Sequence, residues 1–481
     1  MFFRNCSLAF LLPTLLFLLS GQIVIAQKIS NDDTLIIRSV TFTGNTTTKA
    51  FIIERELSFS VGDTLPRELF ESKSAQSKLN LLNTSLFNFV TIYSSDSLPS
   101  SRNGKHRVDI TIDVKERWYT WPAPVFEVME QNMNTWWRNG HNFERATYGF
   151  LLTRYNFRGR KETVALICRF GYSKQYGGQY SIPYLNKNRT LGVTFTGLYT
   201  CNHEVFYGTR NNQLLFYKDT DSHIRKEFSN SIKFQWRKEI FSRQTFDIRY
   251  TDLRVTDTVL SIAPDYFVNS NKRMRYFSLS YQYVLDHRDN RAYPLIGYFA
   301  DIEVTRHGLS ILPDEDLDIT FVAMSVRKWM QISKRIYAGG MIRGRWLPGP
   351  APPFYHQRAL GFSTYIRGFE YYVIDGQSYV LAKTSVRYQI LKPHIFQFNW
   401  FPVKKFNTLH LAIYAGLFGD AGYVEDRASV TSDRNTLGNS WLASYGLGVD
   451  VVSYYDLVFR FEYTFNSLGE GGFFLHFGAP F

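Results

Sequence analysis

From Trp118 to the C-terminus, short segments alternate apolar and polar residues one after another, and this period of two excludes most folds. In 231–237, Ile232, Phe234 and Trp236 alternate with Lys233, Gln235 and Arg237. In 277–283, Phe277, Leu279, Tyr281 and Tyr283 alternate with Ser278, Ser280 and Gln282. Asp301, Glu303 and Thr305 alternate with Ala300, Ile302 and Val304, and Asp456, Arg460 and Glu462 with Leu457, Phe459 and Phe461. A strand sends successive side chains to opposite faces, so every such segment has one greasy and one charged face. A soluble sandwich would need a second apolar layer against each greasy row and covers for its edges. A closed barrel has no edges, and lipid solvates its apolar face. Composition bears on the choice in one respect. Aromatic residues make up 17% of the 481, yet mean hydropathy is −0.22. Beyond the N-terminus no apolar run approaches the length of a membrane-spanning helix. The expected fold is an all-β transmembrane barrel.

Strands are expected near residues 118, 144, 161, 176, 189, 225, 243, 273, 296, 318, 334, 378, 408, 441, 455 and 472. That makes sixteen, an even number, as single-chain bacterial barrels require. Loop parity is an independent check. The long connections 203–224, 254–272, 348–377 and 420–440 fall on one end, and the short turns on the other, with 391–407 the exception. The last strand carries Phe473, Leu475, Phe477, Ala479 and Phe481 on what is read as its lipid-facing row.

Before the barrel the periods mix. Residues 1–26 read as a signal peptide, with Arg4, an apolar core from Leu8 to Leu19, and Val24-Ile25-Ala26 as the cleavage site. Residues 34–117 read as a small α+β domain in the order β-α-α-β-β. Its strands are expected at Ile36–Phe42, Phe87–Tyr93 and Val108–Val114, and its helices at Thr48–Leu57 and Pro66–Leu82. The second helix is read from the spacing of Leu69, Lys73, Gln76, Leu79 and Leu82, with Pro66 in its first turn. Cys168 and Cys201 fall on apolar strand faces, which suits buried or lipid-facing thiols better than ligands.

Net charge is +13. Much of it sits on polar strand faces, at Lys233, Arg237, Arg249, Arg327, Arg343, Arg345, Lys383 and Arg387. A water-filled lumen accepts such charges, and a basic lumen would favour anionic or polypeptide cargo. No clustered basic stripe points to nucleic acid. The sequence contains no HExxH, GxxxxGK[ST] or GxSxG, and 361–365 lacks the closing glycine. No catalytic residue, metal site or cofactor is expected.

Ile366-Arg367-Gly368-Phe369, in the 348–377 connection, resembles a motif of the outer-membrane insertase and translocase superfamily of BamA, TamA and the two-partner-secretion transporters. Phe418-Gly419-Asp420-Ala421-Gly422, the 286–297 turn with Asp286-His287-Arg288-Asp289-Asn290, and the terminal Phe473, Leu475, Phe477 and Phe481 are also similar to that family. The resemblance implies one periplasmic POTRA domain, here 34–117 with Gly44-Asn45 after its first strand, followed by an outer-membrane barrel over 118–481. It implies that the 348–377 loop folds into the lumen, that Arg367 pairs with Asp420, and that the terminal strand is an assembly signal. It further implies a function in inserting outer-membrane proteins or translocating polypeptide, with the bilayer and unfolded polypeptide as partners. The POTRA domain would add client or periplasmic accessory strands at a sheet edge, and the seam would lie at 118–128 and 472–481. A dedicated secretion pore for one partner, or a passive porin-like channel, are the alternatives. Two departures stand out: Ser385 occupies the place of a second acid before Arg387, and one POTRA domain is fewer than the family usually carries.

Overall fold

The computed structural model describes residues 34–96, 105–128, 146–219, 221–397, 408–428, 434–453 and 457–478, with single positions including Phe481. The expected signal peptide, Asp456 and Ala479 lie outside the described residues.

The N-terminal module runs β1 (Thr34–Thr43), α1 (Ala50–Glu54), β2 (Thr64–Pro66), α2 (Arg67–Leu82), β3 (Phe87–Asp96) and β4 (Lys105–Glu116). Its sheet has the order β2-β1-β4-β3, with β1 and β4 parallel and β3 and β4 an antiparallel pair. Leu35, Ile37, Val108, Ile110, Ile112 and Val114 turn one face of that sheet onto Ile52, Ile53, Phe70 and Leu81 of the helices. Each such burial contributes roughly 1.5–3 kcal/mol. Three details differ from the sequence reading. The three-residue β2 is too short to show a period. Pro66 is the residue that caps α2 rather than part of its first turn. The buried face of α2 is Phe70, Ser77, Asn80 and Leu81, while Leu69 is exposed. Ser77 accepts from the Ser58 N–H, and Asn80 donates to the Glu56 carbonyl. Bonded polar groups can be buried, so hydropathy pointed to the wrong side of the helix.

Sixteen strands follow in one antiparallel sheet. The first five are β5 (Thr120–Val128), β6 (Ala146–Phe157), β7 (Glu162–Gly171), β8 (Ser173–Ile182) and β9 (Leu191–Asn202). A separate hairpin, β10 (Glu204–Arg210) and β11 (Gln213–Lys218), fills the next connection. The sheet resumes with β12 (Arg225–Trp236), β13 (Ser242–Val255), β14 (Arg273–Asp286), β15 (Gly297–His307), β16 (Ile319–Ser333) and β17 (Ile336–Trp346). The short β18 (Arg358–Leu360) and β19 (Ile374–Asp375) pair within the long loop. The barrel ends with β20 (Ser378–Gln397), β21 (Thr408–Glu425), β22 (Trp441–Val452), β23 (Val458–Asn466) and β24 (Gly471–Phe477). The exception at 391–407 is resolved by length, because β20 and β21 continue their ladder past two register shifts to Gln397 and Thr408.

Alternation sorts the barrel's faces as the period of two requires. Ile232, Phe234, Trp236, Ile302 and Val304 are exposed on the outer face. Register places Asp301 and Glu303 opposite Ser325 and Ala323, on the row that carries lumenal groups. Cys168 and Cys201 are both free thiols. Within this large sheet β5 and β24 are the terminal strands, and no ladder joins them among the described residues.

Phe481 departs from the sequence reading. The strand ends at Phe477, Gly478 takes φ +101°, and the ring of Phe481 lies on the lumenal side. It stacks on Trp329 of β16 at 5.9 Å and lies 5.8 Å from the Arg387 guanidinium. Strict alternation would put residue 481 outside, where its contacts with Trp329 and Arg387 do not place it. Phe473 and Phe477 do lie exposed on the outer row.

Candidate functional site

The loop between β17 and β20 descends into the lumen, where its tip is buried. Arg367 is 1% exposed and Asp420, on the inner row of β21, is 0% exposed. Arg367 donates from Nε to Asp420 Oδ2 at 3.0 Å and from Nη2 to Oδ1 at 2.5 Å, and its backbone N–H adds a bond of 3.1 Å to Oδ2. The fork is bidentate, the geometry in which a guanidinium holds a carboxylate best. The Phe418 ring lies under the guanidinium carbon at 3.9 Å.

A second acid is present, but not where the family pattern places it. Glu462, on β23, accepts from Arg367 Nη1 at 3.3 Å, while Ser385 sits on β20. Glu462 faces inward three strands away, so no spacing in the sequence could relate it to residue 367. Lys383 approaches Asp420 at 3.7 Å, and Arg460 approaches Glu462 at 3.5 Å. The cluster therefore alternates in sign, and each buried charge has an opposite neighbour, as desolvation demands.

The other tip residues fix the loop's path. Gly368 has φ +84°, a conformation that disfavours side chains, and its carbonyl accepts from Asn466 Nδ2 at 2.8 Å. Ile366 and Phe369 join a buried apolar cluster with Leu360, Ile374, Leu381, Val424 and Leu442. The tip also reaches the last strand: Tyr365 Oη lies 3.1 Å from His476 Nδ1, and Glu370 lies 3.2 Å from His476 Nε2. One loop thus binds β20, β21, β23 and β24. Of the expected terminal-strand residues, Phe473, Leu475 and Phe477 are on the outer row of β24, away from this site; Phe481 packs against the apolar cluster that holds Ile366 and Phe369.

Both ends of the lumen are covered. At the outer end, an apolar cap combines Val205 of β10, Tyr266 and Phe267 of the β13–β14 connection, Leu317, Leu347 and Phe354. At the inner end, Tyr293 of the β14–β15 turn reaches inside, donates to Asp450 Oδ2 at 2.5 Å and stacks near Tyr414. Between them a polar cavity of about 410 Å³ is lined by residues including Lys233, Asp247, Arg249 and Glu303. The lumenal cations largely face acids, as in Lys233–Asp247, Arg249–Asp247 and Arg387–Asp450. Arg237 is an exception to the lumenal reading, for it faces the N-terminal module.

That module docks on the inner-end turns through Glu56. Arg237 donates two bonds to it, at 2.6 and 2.8 Å, Lys161 lies at 3.6 Å and the Tyr184 hydroxyl at 3.2 Å. Burial pushes the Glu56 carboxyl up, but Lys161 and Arg237 outweigh it and hold it at about 2. Arg55 donates to the carbonyls of Arg189 and Arg237, and Asn83 meets Asp289 and Arg291. Among the described residues no group of three or more His, Cys, Asp or Glu is placed to hold a metal.

Residues 35–117 match the family model described as POTRA, surface antigen variable number repeat. The N-terminal module is a POTRA domain, and the sixteen-strand sheet follows it. Its whole fold is similar to that of BamA from Haemophilus ducreyi lacking POTRA domains 1–3, at 16% identity and a TM-score of 0.50, over 92% of this chain and 83% of that one. CdiB from Escherichia coli aligns at 8% identity and a TM-score of 0.48, over 99% and 97% of the two chains. CdiB from Acinetobacter baumannii aligns at 10% and 0.45, over 92% and 73%. No curated protein matches the sequence. The POTRA match and the BamA-like fold agree with the resemblance seen in the sequence.

Proposed function

We propose that this POTRA-barrel protein sits in the bacterial outer membrane with its POTRA domain in the periplasm, and assists insertion of outer-membrane proteins or translocation of polypeptide. The observation that carries this reading is the seam. β5 and β24 end a sixteen-strand sheet without a ladder between them among the described residues, and a strand edge that finds no partner is costly in hydrocarbon. A client strand that pairs there satisfies those groups, so the seam is a place where an unfolded polypeptide gains hydrogen bonds on entering the bilayer. The Arg367–Asp420–Glu462 clamp, reaching His476 of β24 through its neighbours Tyr365 and Glu370, sets the position of the last strand. The reading assigns no catalytic residue and no cofactor.

The covered lumen bears on the alternatives. A cap above and Tyr293 below do not suit a steady passive channel. A dedicated secretion pore would have to move the loop and the POTRA domain to pass its cargo. Quantitative outer-membrane proteomics after depletion separates the readings. Loss of many outer-membrane proteins is the expected result. Loss of one exported protein would establish the secretion pore, and an unchanged proteome with a solute-uptake defect would overturn the proposal.

A further inference from the structure

The outer cap holds a second arginine cluster, apart from the loop-tip clamp, whose hydrogen bonding is incomplete. Arg358 opens β18, and its guanidinium carbon lies 4.2 Å from the ring centroid of Phe206, 5.1 Å from Phe362 and 5.3 Å from Tyr355. Phe206 comes from the β10–β11 hairpin and the other two from the long loop. Aromatic rings attract the cation, but they do not accept the in-plane N–H bonds of a guanidinium. The Nε and Nη2 atoms of Arg358 are buried without a hydrogen-bond partner among the described residues. A buried donor left bare is costly, and more so on a charged group.

Those two atoms are the pair this chain uses elsewhere to grip acids. Arg158 holds Glu162, Arg273 holds Asp252, Arg275 holds Asp314 and Arg367 holds Asp420, each through Nε and Nη2. Arg358 presents the same fork with no carboxylate in it. Asp375 stands opposite in the β18–β19 ladder and attracts Arg358 through space, but among the described residues it fills neither Nε nor Nη2. Around the fork are further donors. The guanidinium carbon of Arg225, on β12, lies 5.9 Å from the centroid of the same Tyr355 ring, and its Nε is also buried without a partner among the described residues. Glu227 lies 3.7 Å from its guanidinium. His356 Nδ1 is likewise buried and unpartnered.

We propose that the Arg358 fork, flanked by Arg225 and His356, is an oxyanion-binding site in the cap that takes a phosphate or carboxylate group. Two coplanar oxygens complete the edge of the guanidinium while the rings keep its faces. The bound group joins the long loop to the β10–β11 hairpin and to β12, so it holds the cap shut. The site does not depend on the insertase reading, since it needs only the closed cap.

Calorimetric titration of the purified full chain in detergent tests the site, with inorganic phosphate, acetate, and vesicles carrying a lipid phosphate monoester as separate probes. Arg358→Met keeps the aliphatic stem among the rings and loses the fork; Arg358→Lys keeps charge without the fork. Wild-type protein is expected to bind one phosphate, and both variants to bind it at least about tenfold more weakly. Binding of vesicles but not of free anions, lost in both variants, would make a lipid headgroup the source. A selenate soak is expected to place an anomalous peak at the fork. Equal phosphate binding by wild type and Arg358→Lys, with no peak there, means an adventitious ion only and overturns the proposal. Absence of any binding by the wild type does the same. Arg225→Met, judged for folding by heat-modifiable migration, gives a second measure should Arg358→Met fail to fold.

Discussion

At the scale of single residues, Arg367 decides most. It is the only described tip residue that touches β20, β21 and β23 through one side chain, by Thr384, Asp420 and Glu462. Removing either member of a buried, bonded ion pair leaves the other uncompensated, at a cost of about 3–5 kcal/mol. Arg367→Ala and Asp420→Ala are therefore each expected to abolish outer-membrane assembly or export, assayed in cells, while the barrel itself still migrates as folded. Full activity in both would remove the functional role from this pair. Exchanging the two residues is expected not to restore activity. An aspartate at 367 would face Glu462, and an arginine at 420 would face Lys383, which lies 3.7 Å from the present carboxylate. Glu462→Gln should be milder, because one bond of 3.3 Å is lost rather than a bidentate pair.

At the scale of elements, β24 is the strand with the most unusual placement. Its outer row is aromatic, its inner row meets the loop tip through His476, and Phe481 beyond it lies against Trp329. The socket for that ring is narrow. A Cβ on Gly339 of β17 would come within 3.0 Å of the Phe481 ring and 2.8 Å of Trp329. Gly339→Val is expected to expel the C-terminus, read as faster carboxypeptidase removal of Phe481 from otherwise folded protein. An unchanged rate would show that the ring is not held there in solution. The same element logic applies to α2, whose buried polar face positions Glu56 by bonding the Glu56 carbonyl through Asn80.

For the whole molecule, the relation between POTRA domain and barrel rests on a pH-sensitive contact. Glu56 is held at about 2 when docked, against an ordinary value of about 4.3. A carboxyl lowered in the docked state stabilises docking fully above its ordinary value and loses that contribution as pH falls toward the docked one. Docking is therefore expected to loosen between about pH 4.5 and 2, measured as rising hydrogen exchange at the Lys49 amide, which donates across the interface to the Gly159 carbonyl at 2.9 Å. Glu56→Gln should loosen docking at neutral pH and flatten this dependence, since Arg237 and Lys161 would remain without their acid. A wild-type pH profile in that variant would assign the effect to another group. The covered lumen makes a further prediction at this scale. Planar-bilayer conductance is expected to be low and to rise in Tyr293→Ala, which opens the inner end.

The period of two, read over residues 118–481, was enough for a barrel of sixteen strands, and mixed periods were enough for a separate α+β module, because both signals are local. Ile366 to Phe369 and Asp420 stood out through resemblance to a family motif, not through periodicity. What depends on pairing between distant strands was not visible. Glu462 joins the clamp only because the β21–β22–β23 ladders bring its inward face to the loop tip; Phe481 meets Trp329 of a strand distant in the sheet; and Glu56 meets Arg237 only once the POTRA domain lies against the turns. Alternation tells which side of a strand a residue faces, and that much the sequence determined alone. Which charges then meet across the lumen, and which rings lie at its ends, was decided by the curvature of the sheet and the path of its loops.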